Sequence, residues 1–303
     1  MESKKSQVPA EAVEAYNQYI HGEINRRDFM ERVTAVAGAF GVTSLVQALM
    51  PDYASAQKVS PTDSRIKIEK VTIPSPMGNG TINGYLARPA SAGTNKLPGI
   101  LVVHENRGRN PHMEDIARRL AVDNFMALAP DGLTSVGGYP GDDEKGGQLF
   151  GTVDRNKMTE DFVASASWLK NRADCTGKIG VTGFCYGGGI ANTLAVRMGG
   201  DLAAAVPFYG APPAEADVPK IKAAVLVQHG EMDTRLASTW PDYDKQLAAA
   251  GVPHEGHIYP GAVHGFNNDA TPERYNKAAA DASWKSTVDW FNKYVRTSSP
   301  STR

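Results

Sequence analysis

The sequence predicts an α/β domain with a mostly parallel central sheet flanked by helices, preceded by an N-terminal helical or export segment. Three observations carry this. Two short strands open the domain, Arg65 to Ile73 and Thr81 to Arg88, joined by a turn holding Pro74, Pro76, Gly78, Asn79 and Gly80. Strand and helix patterns then alternate to the end of the chain, which is the signature of βα units. One strand runs into a helix through Gly183-Phe184-Cys185-Tyr186-Gly187-Gly188-Gly189, a glycine-rich turn with a thiol at its apex.

Each element has its own local reason. Ile66-Lys67-Ile68-Glu69-Lys70-Val71 alternates apolar and polar residues, as a half-exposed antiparallel strand does. Leu97 to His104 contains the continuous run Gly-Ile-Leu-Val-Val, typical of a parallel strand buried on both faces. A helix over Met113 to Val122, a strand over Phe125 to Ala129 and a long Gly- and Asp-rich loop over Pro130 to Gly147 follow. A helix from Asp154 to Asn171 precedes the strand at Lys178 to Thr182. Strands are expected over Ala203 to Tyr209, Ala223 to His229 and Gly256 to Tyr259. Helices complete the pattern over Ala237 to Ala250 and Pro272 to Tyr294. The domain therefore spans 65–297, with 58–64 as a linker.

Composition excludes several classes. A net charge of −1 gives no global attraction to nucleic acid or anionic lipid, and no nucleic-acid module is recognisable. No apolar run reaches the roughly 18 residues that a membrane-spanning helix needs, so no stable membrane insertion is expected. A monomer and a homo-oligomer are both compatible with the chain.

Residues 1–57 carry a different pattern. A polar stretch with a short helix, Glu11 to Ile20, precedes Asn25-Arg26-Arg27-Asp28-Phe29-Met30. A mildly apolar segment, Val33 to Leu49, and Ala54-Ser55-Ala56-Gln57 follow. Twin arginines, a weakly apolar core and an Ala-x-Ala site read as a twin-arginine-like signal for export to the bacterial periplasm, cleaved near Gln57. The alternative is an amphipathic helical arm that docks on the domain or on a partner subunit, with a cytoplasmic protein if the segment is retained.

The two cysteines, Cys175 and Cys185, flank the strand around Lys178 to Thr182. Four or five extended residues at ~3.3 Å each hold its ends about 15 Å apart. A disulfide needs Cα atoms within about 7 Å, so both thiols are expected free.

The chemistry converges at the carboxyl ends of the strands, where open α/β sheets gather their active groups. Gly-x-Cys-x-Gly between strand and helix has the spacing of a nucleophile elbow, whose strained apex requires small neighbours two positions away on either side. The helix that follows points its positive end at the thiol. Asp233 ends Gln228-His229-Gly230-Glu231-Met232-Asp233, just past one apolar strand. His264 follows the next strand, in Pro260-Gly261-Ala262-Val263-His264-Gly265-Phe266. Nucleophile, acid, histidine is the chain order of α/β-hydrolases. His264 would take the thiol proton and Asp233 would orient the imidazole. His254 and His257 are three apart on a strand and face opposite sides, which argues against shared metal ligation. Gly187-Gly188-Gly189 lacks the Lys-Ser/Thr of a phosphate loop. No metal or cofactor is expected.

From about Arg65 to Val295 the chain resembles dienelactone hydrolases, also called carboxymethylenebutenolidases. The matching segments are Gly183 to Gly188, the Asp233 turn, Val263-His264-Gly265-Phe266, and Val103-His104-Glu105-Asn106-Arg107-Gly108. The resemblance implies that Glu105 interacts with the cysteine and helps generate its thiolate. It also implies an oxyanion hole built from the backbone N–H groups of Asn106 and Tyr186. The expected activity is hydrolysis of small lactones or esters through a thioester on Cys185. Two arginines by which the family holds its substrate's carboxylate have no match. The region after His264 reads Asn267-Asn268-Asp269, with no cation before Arg274, and only Lys145 precedes the Asp154 helix. Arg107 and Arg109 are the candidate replacements, and Tyr139, Phe184 and Tyr209 are candidate pocket walls. A thioesterase or peptidase on the same scaffold, a thiol redox sensor and a non-catalytic binding protein are the competing readings.

Overall fold

The computed structural model describes residues 8–38 and 41–296. The first seven residues of the expected export segment, two positions in its apolar core and the expected domain end at 297 lie outside the described residues.

An eight-stranded sheet forms the frame. Its strands are β1 (Ile66–Ser75), β2 (Gly80–Pro89), β3 (Leu97–Val103), β4 (Met126–Pro130), β5 (Cys175–Phe184), β6 (Ala204–Phe208), β7 (Ala224–Gly230) and β8 (His254–Tyr259). The spatial order is β1-β2-β4-β3-β5-β6-β7-β8. β2 runs antiparallel to β1 and β4, and every other pairing is parallel. All seven residues of β3 are buried, as its unbroken apolar run requires.

Helices cover both faces. In chain order they are α1 (Ala10–His21), α2 (Arg26–Val36), α3 (Val42–Leu49), α4 (Pro111–Val122), α5 (Asp143–Phe150), α6 (Arg155–Lys170), α7 (Tyr186–Met198), α8 (Thr234–Ala237), α9 (Trp240–Ala249) and α10 (Lys277–Tyr294). α6, α7 and α9 bury Phe162, Leu169, Leu194 and Leu247 against one face of the sheet. α4 and α10 bury Ile116, Leu120, Trp290 and Phe291 against the other. Each such side chain contributes about 1.5–3 kcal/mol through removal from water. α1, α2 and α3 enclose a separate small core of Ala12, Ala15, Tyr16, Phe29, Val33 and Leu45.

Four boundaries differ from the sequence reading. The loop expected over Pro130 to Gly147 contains the start of α5. Its N-cap is Asp142, whose Oδ1 accepts from the Lys145 N–H at 2.8 Å. Paired glycines at 146 and 147 lower helix propensity and hid it. Their lack of Cβ is needed, because a Cβ on Gly146 would lie 2.4 Å from the Arg107 carbonyl oxygen. The helix expected over Ala237 to Ala250 divides into α8 and α9, the second opening with Pro241 in its first turn. The last helix begins at Lys277, where Asn276 caps it by accepting from the Ala279 N–H. β5 begins at Cys175, so that thiol lies in the strand and not ahead of it.

Residues 58–64, read as a linker, are pinned at their start. Val59 is buried, its N–H donates to Asp115 at 2.9 Å, and its carbonyl accepts from Arg118 at 2.6 Å. Among the described residues no helix is long and apolar enough to cross a membrane.

Candidate functional site

β5 delivers Cys185 to the carboxyl end of the sheet. The residue has φ 55° and ψ −113°, a left-handed conformation that few side-chain-bearing residues adopt. The surrounding glycines explain how it is held. A Cβ on Gly183 would lie 2.0 Å from the Gly187 carbonyl oxygen, and one on Gly187 would lie 2.3 Å from that of Val103. One on Gly188 would lie 2.4 Å from that of Phe208. The turn therefore closes only if three backbones touch. The Cys185 carbonyl accepts from the Gly188 and Gly189 N–H groups and starts α7, whose N-terminal dipole faces the thiol. Cys175 and Cys185 are both free.

His264 follows β8 and Asp233 follows β7. Their bond, His264 Nδ1 to Asp233 Oδ2, is 2.6 Å long and buried. Burial works against a charged imidazole, but the Cys185 charge and the bonds to Asp233 and Cys185 outweigh it. They raise the His264 pKa to about 9. Burial likewise opposes the Asp233 carboxylate, and the bond and charge of His264 prevail and hold its pKa below the ordinary range. Gly230 permits this approach of β7 to the histidine turn, since a Cβ there would lie 2.4 Å from the Ala262 carbonyl oxygen. Among the described residues, neither the Asn106 nor the Tyr186 N–H donates to another protein group. Both flank the cavity that holds Cys185.

Glu105 lines a narrow pocket with Cys185, His264 and Arg274. No hydrogen bond joins its carboxylate to the cysteine among the described residues. The backbone beside it is fixed by His104, a buried ring that accepts from the Gly132 N–H at 2.9 Å and donates to the Glu105 carbonyl at 2.5 Å. Burial lowers the His104 pKa, consistent with this neutral, bridging state. His254 and His257 face different carboxylates, Asp244 and Glu255. Among the described residues no cluster of His, Cys, Asp and Glu could hold a metal ion.

The main cavity, about 890 Å³, is lined by Cys185, Tyr186, Tyr209, His264, Arg107 and, from the N-terminal segment, Tyr19 and Ile20. That volume suits a small-molecule ligand. Tyr209 is buried at φ 37°, its ring 4.8 Å from that of His264, and among the described residues its hydroxyl has no hydrogen-bond partner. Phe184 instead belongs to the core, stacked on Phe208 at 4.8 Å.

Of the candidate cations, Lys145 is exposed and does not line the cavity. Arg109 pairs with Glu114 at 3.4 Å. Arg107 lines the cavity. Asp143 accepts from the hydroxyls of Tyr53 at 2.6 Å and Tyr139 at 2.8 Å, and burial raises its pKa. For two groups the sequence reading gave no place at the site. Arg274 folds back beneath Gly265 to only 7% exposure, with its Nε unpartnered among the described residues. The end of α1 reaches the cavity wall. Both depend on contacts between residues far apart in sequence, and no local pattern signals either.

This strand order, with a strained turn before α7, an acid just past β7 and a histidine just past β8, defines the α/β-hydrolase fold. A family model described as the dienelactone hydrolase family matches residues 82–295. A second, described as YqhI-like, matches residues 1–37. A Methylorubrum extorquens protein named "Putative carboxymethylenebutenolidase" is 32% identical over 285 residues, covering 88% of this chain and 94% of its own. Among solved structures, a "Putative Dienelactone Hydrolase" from Klebsiella pneumoniae is 29% identical with a TM-score of 0.67. It covers 76% of this chain and 99% of its own. A dienelactone hydrolase-like promiscuous phosphotriesterase from metagenomic libraries is 25% identical with a TM-score of 0.65, over 77% of this chain and all of its own. The chain belongs to the dienelactone hydrolase family and is a hydrolase of that family.

Proposed function

We propose that the protein hydrolyses small esters or lactones by acyl transfer through Cys185, with His264 as proton carrier and Asp233 as its partner. The observation that carries this reading is the 2.6 Å bond from Asp233 to a histidine whose protonated form is stabilised by the charge of Cys185. A histidine held by a carboxylate beside a thiol can take the thiol proton and return it to a leaving group.

The steps balance as follows. The Cys185 proton passes to His264, and Sγ attacks the substrate carbonyl carbon. The carbonyl π pair moves to oxygen, where the N–H groups of Asn106 and Tyr186 receive it. Collapse breaks the bond to the leaving alkoxide, which takes the His264 proton, and a thioester remains. Water then attacks that thioester and gives a proton to His264. The second tetrahedral adduct expels the thiolate and releases the carboxylic acid. Each oxyanion donor is worth about 10²–10³-fold in kcat. Glu105 lines a pocket with Cys185, and the family resemblance implies a part for it in thiolate generation.

The test is hydrolysis of 4-nitrophenyl acetate and of a dienelactone by wild type, Cys185→Ala and Cys185→Ser, with mass spectrometry of trapped acyl-enzyme. Turnover absent from the alanine variant, with the acyl group found on Cys185, is the expected result. Wild-type activity retained in Cys185→Ala would falsify the reading.

A further inference from the structure

The N-terminal helices end at the mouth of the cavity. Gly22, with φ 75°, closes α1 in the left-handed conformation and returns its N–H to the carbonyls of Gln18 and Tyr19. The Ile20 carbonyl is left facing outward. It accepts from Asn106 Nδ2 at 2.5 Å, and Arg107 Nη2 lies 3.4 Å away. The last carbonyls of a helix lack partners and carry the negative end of its dipole, so an amide N–H and a guanidinium are suited to them.

Further contacts pin the same segment. Tyr16 places its ring 5.4 Å from the Arg274 guanidinium. Arg26 pairs with Glu144 at 3.3 Å. The Tyr53 hydroxyl donates to Asp143 and accepts from Asn110 Nδ2 at 2.7 Å, and the Asp52 N–H donates to the Ala270 carbonyl at 2.7 Å. The Asn106 loop is thus held from beneath by His104 and from above by α1.

We propose that α1 is a positioning element of the active site: its Ile20 carbonyl holds the Asn106 side chain, so that the Asn106 N–H faces the carbonyl carried by Cys185. The segment before Gln57 then stays in the working enzyme. This rests on the acyl-transfer reading only for its effect on rate; its effect on the loop is independent of it.

The experiment uses the full chain and three readouts. The first is the intact mass of the purified protein from its native host, expected to include the residues before Gln57. An active chain beginning near Gln57 overturns the proposal. The second is a double-mutant cycle of Asn106→Leu, which removes the tether, and Gly22→Val, which disfavours the α1 cap. Each single variant is expected to lower kcat about 10-fold with KM nearly unchanged, and the double variant no further, because both act on one contact. Additive losses, or an unchanged kcat in both singles, overturn it. The third is hydrogen exchange of the amides in 104–109, expected to speed up in Gly22→Val. If exchange responds while Cys185→Ala keeps full ester turnover, the acyl-transfer reading has failed and the positioning contact stands. If exchange does not respond, the positioning contact has failed.

Discussion

Cys185 and the end of α1 face each other across one cavity, yet they are held there by different means. The elbow is fixed by backbone against backbone. Three glycines stand where any side chain would collide with a carbonyl oxygen, and Cys185 is forced to a positive φ. α1 is fixed by a few polar contacts to groups about 90 and 250 residues further along the chain, around a small core of its own. One wall of the site is sterically over-determined, and the other hangs on bonds that single substitutions can remove.

The largest effect should come from the chemistry on the rigid wall. Cys185→Ala should lower kcat/KM for a reactive ester by about 10⁴-fold or more, measured at saturating and limiting substrate. Next is the frame of that wall. Gly183→Ala puts a Cβ 2.0 Å from a backbone oxygen that cannot yield. It should destabilise the domain by about 3 kcal/mol in urea unfolding. An unchanged midpoint would show that the elbow is less constrained than its contacts indicate.

Tyr53→Phe tests the softer wall. It removes the bonds to Asp143 and Asn110 and leaves both buried groups short of a partner, a cost of about 1–3 kcal/mol. Hydrogen exchange should rise in the N-terminal helices and stay unchanged in α7. Equal loosening of both would abolish the distinction drawn between them.

The smallest effect is electrostatic. His264 binds its proton more tightly when folded, at about 9, than the ordinary histidine value of about 6.5. Its stabilisation is therefore complete below about 6.5 and is lost as the pH rises through about 9. The gap in urea midpoint between wild type and His264→Gln should narrow between those two values. A gap that widens would place the raised pKa elsewhere.

The same contrast decides how much of the molecule was legible in the sequence. The elbow announces itself in seven consecutive residues, 183–189, because steric demands between near neighbours select residue types at fixed spacing. Asp233 and His264 follow from the topology, each just past an apolar run. The strands came through well because apolar runs and alternation are local. α5 did not, since its stability lies in the Asp142 cap and in tyrosines from elsewhere, against the propensity of its own glycines. A docked arm was one of two readings of the N-terminus, and where α1 docks was silent. A carbonyl at position 20 says nothing of an amide at 106, and Arg-Arg reads alike in an export signal and in the first turn of α2.

The order of synthesis gives the α1 contact a further meaning. Ile20 leaves the ribosome early, Asn106 much later, and Arg274 near the end. The helices are therefore made first and docked last. Their own small core can form at once, but the contacts to Asn106 and Arg274 can close only after those residues have been made, so that completion of this wall of the cavity waits on the rest of the chain.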